Sequence, residues 1–300
     1  MNIVPSTVPE SEQAALPNDQ RTWQRQAGRF FLHHPLNIAG TVLVVLVVAT
    51  AILGDTVAPY PPLLPSYGSL LEAPTLAHPL GTDQIGRDVL SRVLSGARIS
   101  MEVAAVVLLI GVSIGTLLGL VAGYVGGVVD EIIMRLTDVF LALPALVLAV
   151  TISATLGPSL PNTMIALGAV WWPWYCRLVR GQVLSVREMA FVEAARAVGV
   201  PFSRMLLRHI LPEVLAPIIV QMSLDVGYAI LAISSLSFIG LGAQPPTPEW
   251  GAMISDAQVY VREGWWAAAF PGLAIALTAM GFNLVGDGLR DFLDPRTVER

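Results

Sequence analysis

The sequence predicts an all-α integral membrane protein that crosses the bilayer six times. Three observations carry this expectation. Of 300 residues, 54% are hydrophobic and only 13% charged, against roughly 25% charged in an ordinary soluble domain. Uncharged runs recur along the chain, each long enough to cross about 30 Å of hydrocarbon at about 1.5 Å per helical residue. The arginines cluster in alternate intervening segments, as they do in multi-span proteins. The net charge of −5 leaves no global basic field, so a nucleic-acid partner is excluded. The single cysteine, Cys176, rules out an internal disulfide and a cysteine metal cage. The four histidines, His33, His34, His78 and His209, are scattered, and no metal site is read from them.

The elements follow in order. Residues 1–35 are polar, with Arg21, Arg25 and Arg29 near their end, and read as a tail running into an interfacial segment. Residues 36–54 form the first uncharged run and a retained span; a signal peptide has a shorter apolar core. Residues 36–99 thus hold one span and an outer loop, in which 84–100 reads as an amphipathic surface helix. Residues 100–290 hold the other five spans, and 291–300 form a tail. The second span, 103–129, carries Gly111, Gly115, Gly119, Gly123 and Gly127. That i, i+4 ladder strips side chains from one helix face and admits a second backbone. Residues 139–176 are uncharged, too long for one span and right for two. Gly157-Pro158 and Pro161-Asn162 break them into a hairpin of 139–156 and 163–180. The fifth and sixth spans are 214–239 and 267–285.

Six spans put both termini on one side, and the positive-inside rule says which. With the N-terminus in the cytosol, thirteen of the seventeen arginines lie inside; only Arg87, Arg92, Arg98 and Arg262 lie outside. The loop 185–213 is therefore cytosolic. It reads as two helices, with Met189, Val192, Ala195 and Val198 on one face of the first. Gly199 suits a left-handed cap, Pro201 the first turn of the second helix, and Leu211-Pro212 its close. Ala194, Ala195 and Ala197 keep the elbow thin. Physics alone leaves two uses open: a loop lying on lipid headgroups, or a knob docked into a partner.

Among intramembrane polar groups, Asp225 stands out, with Gln221 and Asn283 also at membrane depth. Asp225 suits either a pathway-facing position or a hydrogen bond to a neighbouring helix. A proton relay lacks a second buried acid or histidine. Gly286-Asp287-Gly288 has the wrong order for an intramembrane aspartyl protease and reads as a helix-ending turn. No catalytic residue is assigned. With no lysine, the chain has no G-x-x-x-x-G-K-[ST] string, and ATP must be bound elsewhere.

Glu193-Ala194-Ala195, then Gly199, then Leu211-Pro212, resembles the EAA loop of ABC-importer permeases. The family pattern has Ile two residues before the Leu-Pro pair, where this chain has His209. Three further blocks resemble C-type permeases of the dipeptide/oligopeptide/nickel family. They are His78-Pro79-Leu80-Gly81-Thr82-Asp83 with Gly86-Arg87-Asp88, the string from Gly240 to Gly251, and Asn283-Leu284-Val285-Gly286-Asp287 with Leu293-Asp294-Pro295-Arg296. The resemblance implies a type I importer permease whose 193–212 loop is a coupling helix. It implies a homologous permease partner, two ATP-binding subunits holding ATP and Mg, and an extracytoplasmic substrate-binding protein. This chain would sit in the inner-membrane lipid, bind no cofactor of its own and import dipeptides or oligopeptides. Nickel or glutathione import is the alternative within the family, and an ion-coupled secondary transporter the alternative outside it.

Overall fold

The computed structural model describes residues 35–65 and 69–293. The expected N-terminal tail and interfacial segment, and the residues from 294 onward, lie outside this range. The described residues are helical, with one isolated bridge between Thr82 and Asp88. The helices are α1 (Pro35–Val57), α2 (Val89–Val125), α3 (Gly127–Leu141), α4 (Ala145–Leu156), α5 (Leu160–Val186), α6 (Ala190–Ala197), α7 (Leu211–Phe238), α8 (Trp250–Ala257) and α9 (Trp266–Leu293). A short helix Phe202–Arg204 and a π-turn Met205–Ile210 run directly into α7.

Four helical stretches are long and apolar enough to cross a membrane: α1, α2, Phe202–Phe238 and α9. The pair α3 and α4, bent by 86°, makes a fifth candidate. At 27 residues, α5 has the length for a crossing of its own. It is less apolar because it carries Asn162, Arg177 and Arg180, and much of it is buried within the protein. The all-helical, multi-span expectation holds, and the six expected crossings are consistent with these elements.

The third crossing differs from the straight helix expected over 139–156. The helical run ends at Leu141, Pro144 stands outside the α region at φ −58° and ψ 120°, and α4 starts anew at Ala145. The second crossing differs too. Instead of a separate surface helix over 84–100, α2 is continuous for 37 residues. Asp88 caps it, accepting from the Ser91 amide at 2.8 Å and the Ser91 hydroxyl at 2.7 Å.

The glycine ladder is the central seam. A Cβ on Gly111 would sit 2.7 Å from Trp171 Cβ, and on Gly115 2.5 Å from the Trp172 carbonyl. On Gly119 it would sit 2.6 Å from the Cys176 carbonyl, and on Gly123 2.7 Å from Val183 Cβ. Four successive rungs thus hold α2 against the backbone of α5, the most extensive helix pairing among the described residues. Gly127 stands outside the seam, at φ +56°, where α3 begins. Among the close-packed neighbours, Arg180 of α5 grips Asp130 of α3 with two nitrogens, its Nη2 at 2.6 Å.

One end of the helix bundle is closed by the two loops that carry the family-like blocks. Arg87 binds Asp83 at 2.6 Å, and Arg92, only 1% exposed, reaches Asp83 at 3.6 Å and the Pro246 carbonyl at 3.4 Å. These arginines are therefore internal struts rather than lipid contacts. The fully buried Glu249 caps α8 through the Gly251 and Ala252 amides, both at 2.9 Å. Trp250 donates to the Val93 carbonyl and Trp266 to the Thr82 carbonyl, each at 3.0 Å. These two tryptophans lock the cap from inside, whereas Trp265 remains exposed, as an interfacial anchor would.

Candidate functional site

Two places gather the residues singled out in the sequence: the elbow after α5, and a cavity between α3, α5 and α7. In the elbow, α6 buries Val192 and Ala195 against the molecule, while Met189 and Val198 are exposed. The expected four-residue apolar face is therefore halved. The structure places Glu193 and Ala194 on the outward side, both exposed. Ala195 seats the helix.

Gly199 ends α6 as a left-handed cap at φ +79°. Its amide donates to the Arg196 carbonyl at 3.0 Å, and the Val200 amide to the Ala195 carbonyl at 3.1 Å. Those two bonds form a Schellman motif, which satisfies carbonyls that the helix end would orphan. The end of α2 supports the turn from below. Arg196 lies over the Tyr124 ring at 5.5 Å, Phe202 packs on the same ring at 5.7 Å, and Arg187 donates to the Gly123 carbonyl at 2.9 Å.

Leu211-Pro212 does not close a helix, as the sequence suggested. The π-turn 205–210, which contains the half-buried His209, passes without a break into α7. A proline lacks the amide that an α-turn would use. The wider π-turn before it and its place at the start of α7 absorb that loss. The elbow is consequently joined to the fifth crossing as one rod, Phe202–Phe238.

Twenty-three residues along that rod, about 35 Å at helical rise, stands Asp225. Its carboxyl group accepts from the Tyr175 hydroxyl at 2.7 Å, Gln221 Nε2 at 2.9 Å and Trp171 Nε1 at 3.4 Å. It faces a cavity of about 850 Å³ lined on the other sides by Phe140, Trp174, Arg177 and Tyr228. Arg177 is paired with Asp138. Gln221 and Asp225 are thus brought together, but Asn283 is not. It is exposed on α9 and is absent from the cavity lining. Tyr175 and Trp171 lie in the expected 163–180 arm of the hairpin, where no sequence pattern marks them as partners of Asp225. A polar handle on a ring at membrane depth needs a partner, and that requirement was the signal available. Among the described residues no cluster of His, Cys, Asp and Glu could hold a metal ion.

Residues 115–299 match the family model described as binding-protein-dependent transport system inner membrane component. Residues 22–74 match the N-terminal TM domain of oligopeptide transport permease C. The chain is 47% identical over 262 residues to the probable D,D-dipeptide transport system permease protein DdpC of Escherichia coli (strain K12), covering 87% of this chain and 88% of that one. It is 49% identical to the dipeptide transport system permease protein DppC of the same strain, covering 89% and 91%. It is 44% identical to the glutathione transport system permease protein GsiD of Shigella flexneri serotype 5b (strain 8401), covering 93% of each. With more than half its length inside one family model and relatives this close over nearly all of it, the chain belongs to the binding-protein-dependent transport system inner membrane components.

Proposed function

We propose that this chain is the permease subunit of an ATP-driven importer of dipeptides or oligopeptides, forming half of a translocation pathway. The other half comes from a homologous permease subunit. Two ATP-binding subunits grip the 193–212 loop and its counterpart, since this chain has no lysine with which to build a P-loop. An extracytoplasmic binding protein delivers the peptide to the outer cap. Both termini lie in the cytosol, and the chain itself hydrolyses nothing.

The observation that carries this reading is the continuous helix Phe202–Phe238, which contains Pro217 and links the exposed elbow to Asp225 at the cavity wall. Closure of the ATP-binding subunits would move the elbow, and the rod would carry that displacement to the cavity. ATP shifts such an equilibrium only because the nucleotide-bound partners bind one permease state better than the other. A second substrate reading, glutathione, is favoured by the relative whose printed name is a glutathione permease. It is a peptide and would use the same cavity. The test is uptake of radiolabelled Ala-Ala into proteoliposomes. The assembled importer should accumulate it only with ATP and binding protein. Uptake by the purified chain alone would overturn the reading in favour of a secondary transporter.

A further inference from the structure

We propose that Asp225 is a cation subsite in the cavity wall, and that it takes the α-ammonium group of the passing peptide. The identity of the ligand rests on the peptide-import reading above; the cation preference rests on geometry. Every hydrogen-bond donor on this carboxylate is neutral: the Tyr175 hydroxyl, the Gln221 amide and the Trp171 indole. Among the described residues it has no ion-pair partner. The only other charged group lining the cavity among the described residues, Arg177, already holds Asp138. The lining therefore presents one carboxylate without a counter-charge, beside a space of about 850 Å³, within the size range of small-molecule pockets.

The three donors also fix its orientation. Tyr175 is fully buried in the seam between α2 and α5, so its hydroxyl is a rigid post. Gln221 lies one turn below Asp225 on α7, and Trp171 closes the outer side while packing on Tyr228 at 5.3 Å. Two carboxylate oxygens offer about four acceptor positions. Three are used, and the remaining one is free for an ammonium group. A primary ammonium, with three donors and a compact charge, fits one remaining acceptor beside aromatic faces. A carboxylate or phosphate ligand would be repelled. Asp225 is also carried on the rod that starts at the elbow, so a shift of α7 against α5 would break the Tyr175 contact and change the grip on the cation in step with the elbow.

The test uses the assembled importer with Tyr228→Cys as a reporter in the cavity wall. Reaction rates with a cationic methanethiosulfonate (ethylammonium) and an anionic one (ethylsulfonate) are compared, subtracting the complex without the reporter, whose Cys176 is buried. Replacing Asp225 by Asn removes the charge and keeps one oxygen for Tyr175 and Trp171, which share Oδ2; Gln221, which donates to Oδ1, can turn its own amide oxygen to the new NH2 group. The cationic-to-anionic rate ratio should fall by about tenfold or more in Asp225→Asn, as expected for losing one nearby charge in a low-dielectric cleft. It should stay high in Asp225→Glu. Without the reporter, Asp225→Asn should reduce Ala-Ala uptake about tenfold, and Asp225→Glu should retain most of it. An unchanged ratio in Asp225→Asn would overturn the subsite and leave Asp225 a structural tie between α5 and α7. A ratio that falls while the wild-type importer takes up no Ala-Ala overturns the peptide reading and upholds the cation preference.

Discussion

Replacing Gly199 tests the elbow without touching the membrane core. Its backbone sits at φ +79°, and a Cβ there would meet nothing within 4 Å. Any penalty is therefore conformational rather than steric. An L-residue held in the left-handed region costs about 1–2 kcal/mol, of which the less flexible unfolded chain returns about 0.4–1 kcal/mol. Gly199→Ala should thus weaken the elbow by about 0.5–1.5 kcal/mol, and Gly199→Asn by less, because Asn tolerates this region. Gly199→Pro is different in kind. Proline fixes φ near −65° and removes the amide that donates to Arg196 at 3.0 Å. The Schellman cap cannot form, and α6 loses its seat.

The assay is peptide uptake per ATP hydrolysed in the reconstituted importer, with hydrogen exchange over 190–204 as the structural readout. Coupling should fall in the order Gly, Asn, Ala, Pro. A loss of about 1.4 kcal/mol lowers the equilibrium ratio of correct to incorrect elbow about tenfold, which is the upper bound on the Ala effect. The Pro variant should hydrolyse ATP with uptake reduced at least about tenfold, while membrane insertion and the melting of the core are kept. Wild-type coupling in the Pro variant would refute the reasoning. So would an order that follows helix propensity, with Ala at or above Gly.

Gly115→Ala should destabilise the detergent-solubilised protein by about 1–3 kcal/mol, because its Cβ would lie 2.5 Å from a backbone carbonyl that cannot rotate away. Gly181→Ala, on the same helical pair but with open space at its Cβ, should be neutral or stabilising by up to about 1 kcal/mol; thermal unfolding distinguishes the two. Glu193→Lys reverses an exposed charge on α6 and should impair coupling while leaving the melting temperature unchanged. Burial pushes the Asp256 carboxyl above its ordinary range, against the opposing pull of Arg87 and Arg92. An acid with a raised folded-state pKa makes stability fall as pH climbs from the ordinary carboxylate range to that raised value. Asp256→Asn should flatten the slope of melting temperature against pH in that window, and an unchanged slope would assign it to another group.

What the sequence showed, and what it hid, follows from the range of the interactions. The ladder Gly111, Gly115, Gly119 and Gly123 was legible because i, i+4 spacing is local and only a close backbone explains it. The left-handed cap at Gly199 was legible for the same reason. The break at Pro144 was hidden inside an uncharged run, since length counting weighs charge more than a single proline. The continuity of α2 was hidden by the opposite bias. Arg87, Arg92 and Arg98 look like the end of a span, yet Arg92 is buried by Pro62, Asp83 and Pro246 from distant parts of the chain. Pro212 looked like a stop, but the preceding π-turn lets the helix continue. Gln221 lies one turn from Asp225 on the same helix, but its other two partners lie 50 and 54 residues away, and no local pattern encodes that distance.

The most direct test of the account is a contact at the elbow. Ala194 is exposed on α6 beside Glu193, and the chain's one native cysteine is buried. Ala194→Cys in the assembled importer, treated with a short bifunctional thiol reagent against single cysteines placed across the ATP-binding subunit surface, should give a permease–ATPase adduct. Its yield should change between the nucleotide-free and ATP-bound states. An active importer in which this position cross-links to no ATP-binding subunit in either state would contradict the docking role of the 193–212 loop.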